Sequence, residues 1–301
     1  YPFVKAPNWL LFSITSLIWG TTWYAIKLQL TEVSPLFSIA YRFAIASVIL
    51  FTFLLITRKR VKYSFADHRW FMLQGVLLFG LCYWFTYLAE LQLTSGLVAV
   101  LSSLIIFFNV IFGRILLKHK IEPKLLIGFA FGLVGMMMLY KDELGLIEDG
   151  MSAIKWLGVA VMANVVASLG NIVSLRNQGE GFGILQLNAF GMAYGSILVF
   201  LIGLFKGDPI TFENTSSYIL SLIYLSVFGS ILAFYGYLTL LGRMGPGKAA
   251  YVSLIIPIIA LIVSSVFESF QWSLIAVTGL VLVLIGNWLA LSKKKIPVGK
   301  S

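Results

Sequence analysis

Apolar residues run along this chain in long blocks with little alternation, and polar residues gather in short clusters between them. Ten blocks stand out, roughly residues 9 to 28, 35 to 57, 70 to 92, 96 to 117, 124 to 140, 156 to 175, 181 to 205, 218 to 241, 247 to 267 and 273 to 291. About 20 apolar residues cover a bilayer core at ~1.5 Å per residue, so each block predicts a membrane-spanning helix. Barrel strands are excluded, because their hydropathy alternates at every second residue and these runs are too long and too uniform for that. A backbone in lipid must also satisfy its own hydrogen bonds, which a helix does within one segment. The expected fold class is all-α, an integral membrane protein of ten transmembrane helices.

The blocks repeat. Gly96, Ala99, Gly128 and Gly135 recur as Gly247, Ala250, Gly279 and Gly286, each 151 positions later. Upstream, Phe43, Ala46 and Phe53 recur as Phe190, Ala193 and Phe200 at a separation of 147, and one short insertion explains the change. The expected organisation is two five-helix repeats, residues 1–147 and 148–301. An odd number of crossings places the second repeat upside down relative to the first, the arrangement found in many transporters.

Composition and charge sharpen this picture. The chain is 59% hydrophobic and 11% charged, with a mean hydropathy of +0.95, more apolar surface than a soluble chain of 301 residues could hide. The net charge of +10 invites a nucleic-acid partner, but the positions of the charges exclude one. With the N-terminus cytoplasmic, the inner segments hold Lys5, Arg58, Lys59, Arg60, Lys62, Arg69, Arg114, Lys118, Lys120, Lys124, Arg176, Arg243, Lys248, Lys293, Lys294, Lys295 and Lys300. That is 17 of the 22 basic residues; Lys27, Lys141, Lys155 and Lys206 fall outside and Arg42 lies within a span. The positive-inside rule then puts both termini in the cytoplasm and the chain in the cytoplasmic membrane. The first block is long and carries Trp9, Trp19 and Trp23, so it is expected to stay as a span rather than leave as a signal peptide. The single Cys82 lies within a span and forms no intramolecular disulfide.

Short motifs now carry a resemblance. Trp19-Gly20 opens it, followed by Ser34-Pro35, Arg42-Phe43, Tyr87-Leu88-Ala89 and Thr94-Ser95-Gly96, and it closes on Pro257, Glu268 and Gly279. In these residues the chain resembles the EamA family of the drug/metabolite transporter superfamily, over nearly its whole length. The first copy departs from the closing pattern, with Ile106 and Leu117 at the positions that the offset pairs with Pro257 and Glu268. The resemblance implies a ten-helix inverted-repeat transporter and suggests export of amino acids or related compounds.

Candidate ligand contacts are polar residues on one helical face at lipid depth, where an unpaired polar group costs several kcal/mol. Tyr83, Tyr87 and Glu90 are spaced i, i+4, i+7, with Trp84 beside them. Asn164, Ser168 and Asn171 repeat that spacing, and Thr21 and Tyr24 occupy the corresponding positions near Trp19 in the first span. In the fourth and ninth blocks, Ser102 and Asn109 correspond to Ser253 and Ala260, with Tyr251 just before. Each stripe has two readings, a wall facing a cavity or a set of helix-to-helix hydrogen bonds worth about 0.6 to 2 kcal/mol each. Arg42 and Glu90 likewise have two: a buried structural pair, or a fork for a substrate carboxylate and a group that meets an ammonium or a proton. Glu268 reads as a solvated loop residue or a helix-end partner. Gly128 and Gly132, and Gly191 and Gly195, are pairs four apart that let helices approach closely.

Enzyme-like signals fail. Residues 242 to 248 match the spacing of a phosphate-binding loop, but Ala249 stands where Ser or Thr would hold magnesium and a membrane block precedes it instead of a strand. His68 and His119 lie in basic loops without a second ligand, so no metal site and no cofactor is expected, and no Ser, His and acid set sits within a span. A channel, the rival from another class, needs symmetry about an axis parallel to the pore, which inverted repeats do not supply. The function expected from the sequence is a secondary transporter of small polar or amphiphilic metabolites by alternating access. Its partners would be a small-molecule substrate, the lipid bilayer and, as coupling ion, protons. The alternative is an uncoupled facilitator or channel-like pore for small metabolites or organic cations.

Overall fold

The computed structural model describes residues 6–117, 124–144, 150–249 and 251–291. The expected repeat boundary at 147 and 148, and His119, lie outside the described residues. Among the described residues every regular element is helical. In chain order these are α1 (Asn8–Lys27), α2 (Pro35–Ile56), α3 (Phe65–Gly75), α4 (Cys82–Glu90), α5 (Ser95–Ser102), α6 (Ile105–Leu117) and α7 (Lys124–Leu144). There follow α8 (Gly150–Gly179), α9 (Ile184–Lys206), α10 (Ser216–Tyr224), α11 (Ala233–Ala249), α12 (Val252–Phe267) and α13 (Leu274–Leu291). Two π-helical segments, Val76–Leu81 and Leu225–Leu232, join α3 to α4 and α10 to α11 without a break.

Local chemistry sets several of these boundaries. Pro35 occupies the first turn of α2, where its missing N–H costs nothing. Ser64 and Asp67 form a reciprocal capping box at the start of α3, and Gly207, at φ 76°, ends α9 in the left-handed conformation. Among the described residues, six helices are long and apolar enough to cross a membrane: Pro35–Ile56, Phe65–Glu90, Ser95–Leu116, Ile154–Gly179, Ile184–Lys206 and Ser216–Met244. Shorter apolar helices cover Ile127–Leu139, Val252–Phe267 and Leu274–Leu289.

The strongest packing joins α7 to α13, α2 to α9 and α1 to α12, while α8 lies against α4 and α6. Small residues make the first of these possible. A Cβ on Gly135 would stand 2.5 Å from the Gly279 carbonyl oxygen, one on Gly279 would stand 2.6 Å from that of Gly135, and one on Gly286 would stand 2.4 Å from that of Gly128. Rising numbers on α7 thus meet falling numbers on α13, so the two helices run antiparallel. Gly75 meets Gly191 in the same manner, with its Cβ position 2.3 Å from the Gly191 carbonyl oxygen. Five tryptophans lie near the ends of apolar blocks, and four of them, Trp9, Trp70, Trp272 and Trp288, are exposed. The fifth, Trp156, packs partly against the α5–α7 side of the core.

Candidate functional site

A cavity of about 120 Å³ lies at the centre of the bundle, and helices from both halves of the sequence wall it. Trp19, Thr22 and Trp23 come from α1, Cys82, Tyr83 and Thr86 from α4, Ser102 from α5, Asn164 and Asn171 from α8, Phe234 and Tyr237 from α11, and Ser253 from α12. The volume is of the order of the ~150 Å³ engineered cavity that holds benzene, so it admits about one aromatic ring. Among the described residues the wall contains no Asp, Glu, Lys or Arg. Its polarity comes from amides, hydroxyls and indoles, and the Trp23 indole N–H is buried with no partner.

The cavity gathers six of the residues singled out in the sequence: Trp19, Tyr83, Ser102, Asn164, Asn171 and Ser253. For the α8 stripe the two readings hold together. Asn164 Nδ2 donates to the carbonyls of Leu101 (3.2 Å) and Ala160 (2.9 Å). Asn171 Nδ2 donates to Asn109 Oδ1 (3.3 Å) and to the Tyr237 hydroxyl (3.2 Å). Both asparagines tie α8 to its neighbours and still face the cavity. Ser168 and Asn109 do only the former: the Ser168 hydroxyl donates to Asn109 Oδ1 at 2.8 Å, and both are buried outside the cavity wall.

The remaining candidates lie elsewhere. The Thr21 hydroxyl is 2.6 Å from that of Tyr224, and Tyr24 stacks on Phe267 with ring centroids 4.8 Å apart. Trp84 stacks on Phe85, Tyr251 packs on Ile106, and Tyr87 is fully buried in the core with its hydroxyl unpartnered. Thr22, Trp23, Thr86, Phe234 and Tyr237 are wall residues that the sequence reasoning passed over. Tyr237 sits i+3 from Phe234, a spacing that could have signalled it.

Arg42 and Glu90 do not form the direct pair that was one reading of them. Arg42, 1% exposed, donates from Nε to Ser230 Oγ (2.9 Å) and from Nη2 to the Tyr83 hydroxyl (3.4 Å). Its guanidinium carbon stands 4.5 Å from the Tyr83 ring centroid, a cation–π contact, and Nη1 has no partner. The side chain is thus drawn towards the second π-helical segment, and Tyr83 is shared between Arg42 and the cavity. Glu90 is fully buried with neither carboxylate oxygen hydrogen-bonded. Lys27, Glu268 and Arg42 are the charged groups around it, and Lys27 Nζ donates to the Glu90 backbone carbonyl at 2.7 Å. Glu268 proves to be a helix-end partner: its carboxylate accepts from the Ser95 backbone N–H (3.2 Å) and from the Ser95 hydroxyl at the first turn of α5.

Residues 242 to 248 lie within α11, so the loop that would cradle a phosphate is a helix. The other basic-loop candidate, His68, accepts or donates at Nδ1 to the Tyr194 hydroxyl at 2.8 Å and packs against Phe190. No group of three metal-ligating side chains occurs among the described residues.

Comparison with known proteins fits this architecture. A transporter of Archaeoglobus fulgidus described as uncharacterized is 25% identical over 288 residues, covering 95% of this chain and 99% of its own. The uncharacterized inner membrane transporter YedA of Escherichia coli K12 is 24% identical over 287 residues, covering 91% and 89%. The uncharacterized transporter YoaV of Bacillus subtilis is 24% identical over 291 residues, covering 95% and 98%. A crystal structure at 17% identity shares the fold with a TM-score of 0.71 over 93% of this chain and 95% of its own. The model of the EamA-like transporter family matches residues 8–141 and again 154–292, and the chain, a multi-pass membrane protein and a transporter rather than an enzyme, belongs to that family.

Proposed function

We propose that this protein is a secondary active transporter of the cytoplasmic membrane that moves small polar or amphiphilic metabolites by alternating access. Ten spans in two inverted five-helix repeats, with both termini cytoplasmic, carry the motion. The observation that supports this most directly is the central cavity walled by both halves, with Trp19, Tyr83 and Ser102 facing Asn164, Asn171, Tyr237 and Ser253. The α7–α13 contact adds to it. Gly128 and Gly279 are equivalent by the 151-residue offset, as are Gly135 and Gly286, and the contacts cross over, Gly135 to Gly279 and Gly128 to Gly286. Crossed contacts between equivalent positions are what a two-fold axis produces. The twice-matching family model and the inner-membrane description of YedA point the same way.

For the substrate, the resemblance suggests amino acids or related compounds, exported, and the aromatic wall suits a ligand with one ring. Glu90, buried with both oxygens unpartnered, is the candidate proton carrier. A specific observation favours the rival, an uncoupled facilitator: among the described residues no carboxylate, imidazole, amine or guanidinium lines the cavity itself. Proteoliposome flux separates them. In the coupled reading a pH gradient drives uphill accumulation, and Glu90→Gln retains downhill exchange but loses the pH dependence. Flux that never exceeds equilibration in wild type, or that keeps its pH dependence in Glu90→Gln, leaves the coupled mechanism without support.

A further inference from the structure

A second cavity, of about 520 Å³, lies away from the central one and shares no lining residue with it. Its polar wall is made by Lys59 just beyond α2, Gln178 on α8, Gln186 on α9, and Tyr235, Thr239 and Arg243 on α11. On α11 the two cavities use different faces: Phe234 and Tyr237 serve the central cavity, whereas Tyr235, Thr239 and Gly242, spaced i, i+4, i+7, serve this one. Two cations, two amides and two hydroxyls converge here, and no carboxylate is part of the wall. The backbone also comes close, with Gly181, Gly183 and Gly242 in the lining. Phe182, Ile184 and Leu185 add an apolar flank.

We infer that this cavity binds a phosphate-bearing ligand of net negative charge, the phosphate held between Lys59 and Arg243 and the amides of Gln178 and Gln186. An anionic phosphate, as a diester with two terminal oxygens or a monoester with three, accepts charge-assisted hydrogen bonds from two cations and two amide donors at once. The position favours the same chemistry. On the orientation proposed above, on which this inference rests, the cavity opens at the cytoplasmic end of the bundle, beside Arg58, Arg60 and Lys62, and basic pockets between helices on that side receive acidic lipid headgroups. A bound phosphate would bridge α2 of the first half to α8, α9 and α11 of the second. Arg243 already donates to the Ala6 carbonyl and to Asn8 Oδ1, each at 2.9 Å, so it is held in place from the α1 side.

Binding is measured on the detergent-purified chain by the shift in thermal unfolding with dioleoyl phosphatidylglycerol, with dioleoyl phosphatidylcholine at the same mole ratio, and with soluble glycerol 3-phosphate. Lys59→Gln removes one cation and is read against its own unfolding without ligand, and Arg243→Lys keeps the charge while removing the fork. The expected result is stabilisation by phosphatidylglycerol and not by phosphatidylcholine, with an apparent affinity about tenfold weaker in Lys59→Gln, as loss of one charge-assisted contact implies. If glycerol 3-phosphate shows the same Lys59 dependence, the ligand is a soluble phosphate compound; if only the lipid does, it is a headgroup. Equal shifts from both lipids, or shifts from all probes that Lys59→Gln and Arg243→Lys leave unaltered, overturn the assignment. Because no transport is read, a failure of the transport mechanism leaves this test intact. Labelling of Lys59→Cys by an impermeant maleimide in inverted and right-side-out vesicles checks the orientation separately.

Discussion

The contact between α7 and α13 yields a prediction with opposite signs at two glycines. At Gly135 an added Cβ would meet backbone, 2.5 Å from the Gly279 oxygen and 2.8 Å from the Val283 nitrogen. Neither atom can rotate aside as a side chain could, so the helices must part, and overpacking of this kind costs about 1–3 kcal/mol. At Gly158 on α8 nothing lies within 4 Å of the same position. There the methyl group meets no protein atom, and the gain in helix propensity of about 0.8–1 kcal/mol stands alone. Gly135→Ala should therefore unfold below the wild type and Gly158→Ala above it, in thermal scans at one detergent concentration and one scan rate. Gly279→Ala should match Gly135→Ala, since its Cβ position lies 2.6 Å from the Gly135 oxygen and 2.9 Å from the Leu139 nitrogen. If Gly135→Ala is as stable as Gly158→Ala, the close approach of the two helices is wrong and the crossed glycine contacts fall with it.

Two further outcomes follow from the site and from the cap of α3. Asn171→Ala should weaken ligand stabilisation in a thermal-shift screen with modest loss of fold stability. Tyr87→Ala, by contrast, should lower stability itself by about 3–5 kcal/mol, because it empties a fully buried ring position; a stable Tyr87→Ala protein with lost ligand binding would return Tyr87 to the ligand wall. At the cap, the Ser64 hydroxyl and backbone N–H hold the Asp67 carboxyl below its ordinary value of 3.8. A depressed value means that the ionised cap stabilises the fold above the ordinary pKa, and that this contribution fades as pH falls through the lower folded value. Amide exchange in the first turn of α3 should thus be faster in Asp67→Asn than in wild type at pH ~7, with the gap narrowing as the pH falls below the ordinary value of 3.8. A gap of the same size above and below that value would contradict the ionised cap.

Long uniform hydropathy made most of the helices legible, and α2 and α9 could hardly be missed. Two features left no such trace. The π-helical segments Val76–Leu81 and Leu225–Leu232 change hydrogen-bond spacing and not residue type, so an apolar run looks the same with or without them. The turn at Ser103 and Leu104 between α5 and α6 is equally silent, since its hydrogen bonds shift only to Ser103 N to Val100 O and Leu104 N to Leu101 O. At the site, Asn164 and Asn171 could be found by spacing, because amides at lipid depth must face something polar. Tyr87 was misplaced for a geometric reason. The cavity-facing line of this helix runs through Leu78, Cys82 and Thr86 with Tyr83 at its edge, and Tyr87 lies one residue, about 100°, beyond Thr86. An aromatic residue at that angle packs into the core as readily as it lines a cavity.

The two π-helical segments also bear on how far the halves are alike. The 151-residue offset carries 76–81 onto 227–232, within the second segment, so the same rare geometry recurs at the offset that relates the glycines. Their neighbours exchange accordingly: the first segment packs on α9 of the second half and the second on α2 of the first. Around the second segment, Trp19 Nε1 donates to the Gly229 carbonyl at 3.2 Å, and the Ser230 hydroxyl reaches back to the Leu225 carbonyl at 2.9 Å while accepting from Arg42. The first segment instead has Gly80 against the Leu198 side chain and the Gly195 backbone. The two segments thus share backbone geometry and differ in side-chain chemistry, as Ile106 and Leu117 differ from Pro257 and Glu268, 151 positions on. A ligand in the central cavity meets the same asymmetry, with Asn164, Asn171, Tyr237 and Ser253 on the second half against Thr22, Tyr83, Thr86 and Ser102 on the first. Both amides lie on one side, so a ligand with a single amide-like or heterocyclic edge should bind with that edge towards α8.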